Sequence, residues 1–560
     1  MRRVAIVEFH DAPGTPMNRH PFPSASRIVH ALVLLFLFLP SPGSASQDAH
    51  AGSAALQAEV ARPGSRTAAG QDMVARLYEA QGYRPIWTGG DGRHARQALR
   101  LLREAHAHGL DPSAYRLEAL SGQLNNPTEH GAERVDIALS RAVLQLLADL
   151  HFGRVAPDIS AIPAAVQGPA FDPVEQLRHA LRHDRVMQLA YDAAPRIPLY
   201  WRVRATLAEY RALAQLPGQW LPIPALPHKG KLIVGQASAS IPLVRKRLML
   251  LGDLPDGVAT AGDAVYSADL AQAIRRFQSR HGLDENGELG AATLAALAVP
   301  PAQRVRQLIL TLERLRWLPA MRRGRIVVVN LPAYRLWAFD TAGPGTAEPL
   351  EMRVIVGAAA RTPTPVFVGQ MRYLEFNPYW NVPRSIEQAE IIPKLARDPA
   401  YLRNNAMELV SASGQVLQPG QAASLAALRA ATARVRQRPG AHNVLGAVKF
   451  AMPNPMNIYL HSTSARELFS KERRDLSHGC IRVERPAELA EFVLADPSRW
   501  DRERVRAAMQ PGPTRAVRLG EAIPVVLFYA TAVTDRRGRA LFANDIYRRD
   551  PKLAQALHLR

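Results

Sequence analysis

The chain has 560 residues, 47% hydrophobic and 21% charged, a globular balance that excludes wholesale disorder and implies about two to four domains. Its 70 basic against 49 acidic residues give a formal charge of +21, and only seven of the basic residues are lysine. Such a surface favours polyanionic surroundings: nucleic acid, phospholipid or an acidic wall polymer. The one cysteine, Cys480, excludes an internal disulfide framework and any cysteine-based zinc cluster.

Residues 1–46 read as an export signal. Arg2, Arg3, Arg19 and Arg27 supply a basic region, Ala31 to Leu39 is an unbroken apolar run, and Pro40, Pro42 and Gly43 stop any helix before the small residues Ser44, Ala45 and Ser46. The apolar run is too short for the ~20 residues of a spanning helix. Met17 offers an alternative start with a leader of more usual length; left uncleaved, the same segment would serve as a membrane anchor. No later stretch reaches spanning length, so the mature chain is expected outside the cytoplasm, which weakens nucleic acid as a partner. No finger motif or aromatic-interleaved basic patch supports that partner either.

Residues 47–70, rich in Ala, Ser and Gly, read as a linker. From 71 to 222 apolar residues recur at helical intervals, as in Leu139, Ala142, Val143, Leu146, Leu147 and Leu150, predicting a helical scaffold without a catalytic constellation. A proline-rich junction over 217–230 leads into a compact unit at 231–300. There Leu270, Ala273, Ile274 and Phe277 share a helix face, Gly282 caps its end, and Asn286-Gly287 makes a tight turn before a short helix carrying Thr293. This AIRRFQ…HGL…NG…TL run resembles the small three-helix peptidoglycan-binding module, which implies a tether to wall glycan and peptide.

After 303 the texture becomes β-rich. Arg325–Asn330 and Arg335–Phe339 form a predicted hairpin across Leu331 to Tyr334, Met352–Gly357 is a third strand, and Ile523–Ala530 a buried one. A stretch at about 384–440 with helical character interrupts the strands and reads as an inserted helical lid. The expected architecture is a multidomain α+β chain whose mostly-β catalytic domain spans 303–535, followed by a charged tail over 536–560.

The chemistry concentrates in Asn457–Ser464 and Asp475–Val483. A lone thiol in an exported chain has no disulfide partner, and His478, Gly479 and Arg482 surround Cys480 with polar and cationic groups. The thiol needs a base, and spacing alone leaves two: His478, two residues away, and His461, at the end of a predicted strand that a neighbour can bring against the thiol. No metal-ligand cluster has convincing spacing.

The pattern His461-Ser462-(x)14-Ser477-His478-Gly479-Cys480-Ile481-Arg482 resembles the signature of the L,D-transpeptidase (YkuD-type) catalytic domain. Phe376–Pro383, Pro439–Gly446, Val448–Phe450 and Pro453–His461 resemble its large, YcbB-like multidomain branch; Ser462 departs from the glycine that many members carry there. The resemblance implies Cys480 as nucleophile, His461 as general base, the Ser462 carbonyl orienting the imidazole, and an oxyanion beside the Gly479 and Cys480 N–H groups. It implies that Tyr459 lines the site, that His478, Ser477 and Arg482 shape the loop and hold substrate carboxylate, and that Trp380 contributes to substrate binding. For Trp380 a place in the core, and for Arg482 a structural ion pair, are the competing readings.

The implied activity is a peptidoglycan L,D-transpeptidase: a cysteine thioester forms with loss of D-alanine, and a neighbouring stem's amine completes a 3→3 cross-link. It implies no cofactor and a periplasmic location. The substrates would be stem peptides and glycan, with glycosyltransferase and D,D-carboxypeptidase partners. A cysteine L,D-carboxypeptidase or endopeptidase uses the same residues with water as acceptor, and a non-catalytic wall-binding scaffold keeps only the 231–300 module.

Overall fold

The computed structural model describes residues 54–61, 68–159, 170–216, 218, 220–226, 230–255, 264–343, 348–418 and 420–559. The expected leader and residues 47–53 and 62–67 of the expected linker lie outside the described residues. The rest of that linker is not irregular. Residues 54–61 are helical, and Leu56 is fully buried in the scaffold core with Val60 packed beside it one turn later. Alanine-rich sequence has high helix propensity, and one apolar stripe is enough to dock such a segment.

The scaffold packs around the helix Ala132–Phe152, whose Leu139, Val143, Leu146, Leu147 and Leu150 are fully buried. Asp136, on the same helix, is buried and collects the N–H groups of Ile86, Trp87 and Thr88 at 3.0, 2.7 and 2.8 Å, besides the hydroxyls of Tyr78 and Thr88. A buried carboxylate survives only when its lone pairs are satisfied, so this group fixes the Ile86–Thr88 turn onto the helix.

The next unit has helices Ile241–Leu250, Ala268–Arg280 and Ala291–Ala298 around Val244, Leu248, Leu270, Ile274, Phe277 and Leu297. Its turn is held by Gln278. The amide Nε2 donates to Asn286 Oδ1 and to the Glu288 carbonyl, both at 2.9 Å, while Oε1 accepts the Gly287 N–H at 2.9 Å. Gly287 has φ of +71°, a conformation that favours glycine, and a Cβ there would also crowd the Ala271 carbonyl at 3.2 Å.

The helix Pro301–Arg316 connects this unit to the β-rich region and also clamps the scaffold. Glu313 is buried, accepts the Arg154 and Val155 N–H groups at 2.6 and 2.9 Å, and pairs with Arg316 at 2.9 Å.

The β-rich region is a nine-stranded sheet. Its strands are β1 (Arg325–Asn330), β2 (Arg335–Asp340), β3 (Leu350–Gly357), β4 (Phe367–Phe376), β9 (Val448–Ala451), β10 (Leu460–His461), β11 (Asp475–Ser477), β12 (Ile481–Val483) and β13 (Arg515–Phe528). The order is β11-β3-β12-β10-β9-β4-β13-β1-β2, and β2 also pairs with the first half of β3, so the row returns on itself. Val327, Leu374, Phe450, Leu460 and Ile481 fill its interior, each contributing roughly 1.5–3 kcal/mol of burial.

The stretch between β4 and β9 carries sheet as well as the expected helices. β5 (Trp380–Asn381), β6 (Met407–Ser411), β7 (Val416–Leu417) and β8 (Ala433–Gln437) form a sheet of order β5-β8-β6-β7, with a core of Trp380, Ile391, Leu395, Leu409, Leu428 and Val435. The expected tail is also structured. β14 (Ala532–Thr534) pairs with β15 (Ala540–Phe542), and Leu553 and Ala554 of the helix Asp550–Ala556, with Leu557 just after it, bury against Leu310 and Trp317. No helix among the described residues is long and apolar enough to cross a membrane.

Candidate active site

Four adjacent strands lay down one charged row. Glu375 on β4 stands opposite Lys449 on β9, Lys449 opposite His461 on β10, and His461 opposite Arg482 on β12. Paired residues share a sheet face, and the alternate set Leu374, Phe450, Leu460 and Ile481 fills the interior, so the row stands on the outer face. Cys480 precedes Arg482 by two residues and Tyr459 precedes His461 by two, which brings both to that face. The strands are locked together there by the Ile481 N–H donating to the Tyr459 carbonyl at 3.1 Å.

His461 is 4% exposed, and its Nδ1 lies 2.6 Å from the carbonyl of Ser462. A carbonyl only accepts, so Nδ1 carries the proton and Nε2 is left as the basic nitrogen. Burial first, then the Arg482 charge, holds the imidazole down at about 3, so it is neutral at ordinary pH. The Ser462 hydroxyl donates to the Leu445 carbonyl at 2.9 Å and accepts the Val448 N–H at 3.1 Å. That hydroxyl fills the space left by Gly446, where a Cβ would stand 2.3 Å from Ser462 Oγ.

Cys480 is half-buried, with its sulfur 3.6 Å from the Asn457 carbonyl. Burial pushes its thiol up, against the pull of the Tyr459 backbone and hydroxyl and of the Lys449 and Arg482 charges. The nucleophile candidate and the imidazole are therefore both held neutral. Tyr459 sits edge-on to His461 at 5.7 Å, has Lys449 Nζ 4.9 Å from its ring centre, and faces Cys480 and Trp380 with its hydroxyl.

The Ser477–Cys480 turn is tied internally. Ser477 Oγ donates to the Cys480 carbonyl at 2.6 Å and accepts the Gly479 N–H at 3.1 Å. The Gly479 N–H, expected beside an oxyanion, is thus engaged within the loop, whereas the Cys480 N–H is not tied up inside it. Gly479 has φ of +115°, a conformation that breaks strand alternation between residues 478 and 480. His478 consequently turns away. It is exposed, and its Nε2 lies 2.5 Å from Glu390 Oε1 on the insertion. Spacing alone left His461 and His478 open as bases; His461 lies on the sheet face toward which the thiol also projects, while His478 is engaged by Glu390.

Arg482 is half-buried, and its Nε has no hydrogen-bond partner. Trp380, 9% exposed, belongs to the core of the insertion and reaches the site through Tyr459. Lys449, its partner Glu375 at 2.9 Å, Asn457 and Glu390 are site residues that the sequence reading did not single out. Lys449 alone left a trace, as the one charge in the apolar strand Val448–Ala451. Among the described residues no group of three or more His, Cys, Asp or Glu side chains is placed to hold a metal ion.

Three stretches match known families. Residues 72–207 match the "Scaffold domain", 238–297 the "Putative peptidoglycan binding domain", and 324–517 the "L,D-transpeptidase catalytic domain". A Haemophilus influenzae protein named "Putative L,D-transpeptidase" is 32% identical over 247 residues, which is 44% of this chain and 48% of that protein. The chain thus matches about half the length of this curated relative. Among solved structures, L,D-transpeptidases from Stackebrandtia nassauensis and Xylanimonas cellulosilytica are 14% and 17% identical. Each likeness covers 55% of this chain, and 96% and 100% of the other, with TM-scores of 0.23 and 0.16. Likenesses at that score do not bear on the fold.

Proposed function

We propose, from the L,D-transpeptidase catalytic domain and the peptidoglycan-binding domain that this chain carries, that it is a periplasmic enzyme forming 3→3 cross-links between peptidoglycan stem peptides. The observation that supports this most is the row on β10 and β12. There a buried, neutral imidazole whose Nδ1 is fixed by a carbonyl shares a sheet face with the strand that follows the chain's one thiol, which supports the pairing of the two.

In the proposed reaction Cys480 Sγ attacks the carbonyl of the third residue of a tetrapeptide stem, and its proton passes to His461 Nε2. Because both groups start neutral, charge develops only as the sulfur–carbon bond forms, where the Cys480 N–H and the cations Lys449 and Arg482 meet it. The tetrahedral species collapses with the proton returning to the leaving nitrogen, which departs as D-alanine. An amine of a second stem then attacks the thioester, its proton goes to Nε2, and the thiol is restored. Arg482, without a hydrogen-bond partner for its buried Nε, suits a stem carboxylate. A tetrapeptide donor in turn requires a D,D-carboxypeptidase to have trimmed the fifth residue.

The test is D-alanine release from disaccharide-tetrapeptide. Cys480→Ala should abolish it, and His461→Ala should reduce it by about 10²–10⁴-fold. Turnover near wild type in His461→Ala would return the base to His478. Release without any dimer would favour the L,D-carboxypeptidase reading instead.

A further inference from the structure

The residues after 530 lie beyond the stretch that matches the catalytic domain, yet one of them reaches the nucleophile turn. Tyr547 donates its hydroxyl to the Gly357 carbonyl at 2.7 Å and accepts the Thr364 N–H at 3.1 Å. Thr364 is fully buried; its Oγ1 accepts the Gly357 N–H at 2.8 Å and donates to the Gly479 carbonyl at 2.8 Å. A Cβ on Gly357 would come within 3.0 Å of Gly479 Cα, so the two backbones are in direct contact. Two hydrogen bonds therefore separate the Tyr547 hydroxyl from the peptide that carries Cys480.

Tyr547 is held from the other side as well. Its N–H donates to the Tyr529 hydroxyl at 3.0 Å, and the two rings stack at 5.8 Å. Tyr529 donates to Asp545, which accepts the Arg549 and Asp550 N–H groups at 2.9 Å each. Asp550 ends the chain of contacts on Arg314 of the connecting helix at 2.6 Å.

We propose that the C-terminal segment is part of the acyl-transfer machinery, with Tyr547 a positioning residue that holds the Cys480 turn through Gly357, Thr364 and Gly479. The assignment rests on the transpeptidase reading for the reaction it serves. A nucleophile displaced by ~1 Å loses about 10²-fold in rate, so a hydroxyl that ends on this turn acts on kcat before it acts on stability.

The experiment compares the full chain with Tyr547→Phe, which keeps the stacked ring and removes the hydroxyl, and with Thr364→Val. Each is read by D-alanine release, by thermal unfolding, and by the pH profile of Cys480 alkylation with iodoacetamide. Both variants should lose about tenfold in kcat with KM within about twofold, and the double variant should lose little more than either alone. The alkylation midpoint should fall, because a loosened turn relieves the burial that pushes the thiol up. Wild-type kcat and an unmoved alkylation profile in Tyr547→Phe would overturn the proposal. So would a loss of activity that only tracks a lower unfolding temperature. If Tyr547→Phe does not fold, Thr364→Val decides on the same readouts, with Thr364→Ser expected to retain activity. If the wild type itself releases no D-alanine, the transpeptidase reading fails on its own, and the alkylation profile, which needs no substrate, still decides the positioning role.

Discussion

At the scale of single residues, the site depends on small groups whose neighbours leave no room. Ser462 Oγ occupies the space beside Gly446, and Ser462 also supplies the carbonyl that fixes His461. Gly446→Ala places a side chain at φ of +62° and against Ser462 and Thr463. It should cost on the order of 2 kcal/mol of stability and lower kcat by about tenfold or more through a displaced imidazole, read by thermal unfolding and D-alanine release. The motif residues were legible because they sit in two short runs, 457–464 and 475–483. The choice of base was not, since extended spacing aims His478 and Cys480 the same way. In the structure the left-handed backbone of Gly479 turns His478 toward Glu390, which favours His461 in the proposed mechanism. Glu390, Thr364 and Tyr547 left no sequence signal, because each meets the site only through tertiary packing across about 90 residues or more.

Among elements, the insertion between β4 and β9 adds a four-stranded sheet to the helices expected there. The charges of Ala433–Gln437 alternate with apolar Val435, a strand pattern that the surrounding helical texture obscured. Glu387 shows how the insertion is anchored: buried, it accepts the Val435 N–H at 2.6 Å and pairs with Arg384 at 3.1 Å. One turn later Glu390 reaches both His478 and Lys394, with its carboxyl held below the usual range despite burial. This contact joins the insertion to the Ser477–Cys480 turn at the surface, where an ion pair is worth ~0–1 kcal/mol. Glu390→Gln should therefore leave folding intact while loosening closure. The ratio of hydrolysed tripeptide to cross-linked dimer should rise a few-fold, and an unchanged ratio would remove the insertion from water exclusion.

At the scale of the whole molecule, the domains meet through buried charge. Arg280 of the peptidoglycan-binding unit pairs with buried Asp253 and donates to the Ala540 carbonyl of β15 at 2.7 Å, while His281 stacks on Phe277 and Phe542. The charged composition after Asp535 gave no hint of this docking, because the apolar contact is made by few residues, Phe542 among them. Three buried histidines now set the acid limit. His108 and His461 are each held at about 3, and His281 well below its usual value, all chiefly by burial. A depressed folded pKa means that the unfolded chain binds the proton first. Stability is therefore full above pH 6.5 and falls as pH drops below it, by on the order of 2–3 kcal/mol at pH 4.5 for each of His108 and His461, with His281 acting in the same direction. His281→Phe should flatten that slope in urea unfolding compared between pH 7 and 4.5; a slope equal to wild type would contradict it. The central claim, that Cys480 carries the acyl group, is tested most directly by intact-protein mass spectrometry after incubation with disaccharide-tetrapeptide. The account predicts an adduct on the wild type lacking the terminal D-alanine, none on Cys480→Ala, and decay of the adduct into a 3→3 dimer. An equal adduct on Cys480→Ala, or dimer formed by that variant, would contradict it.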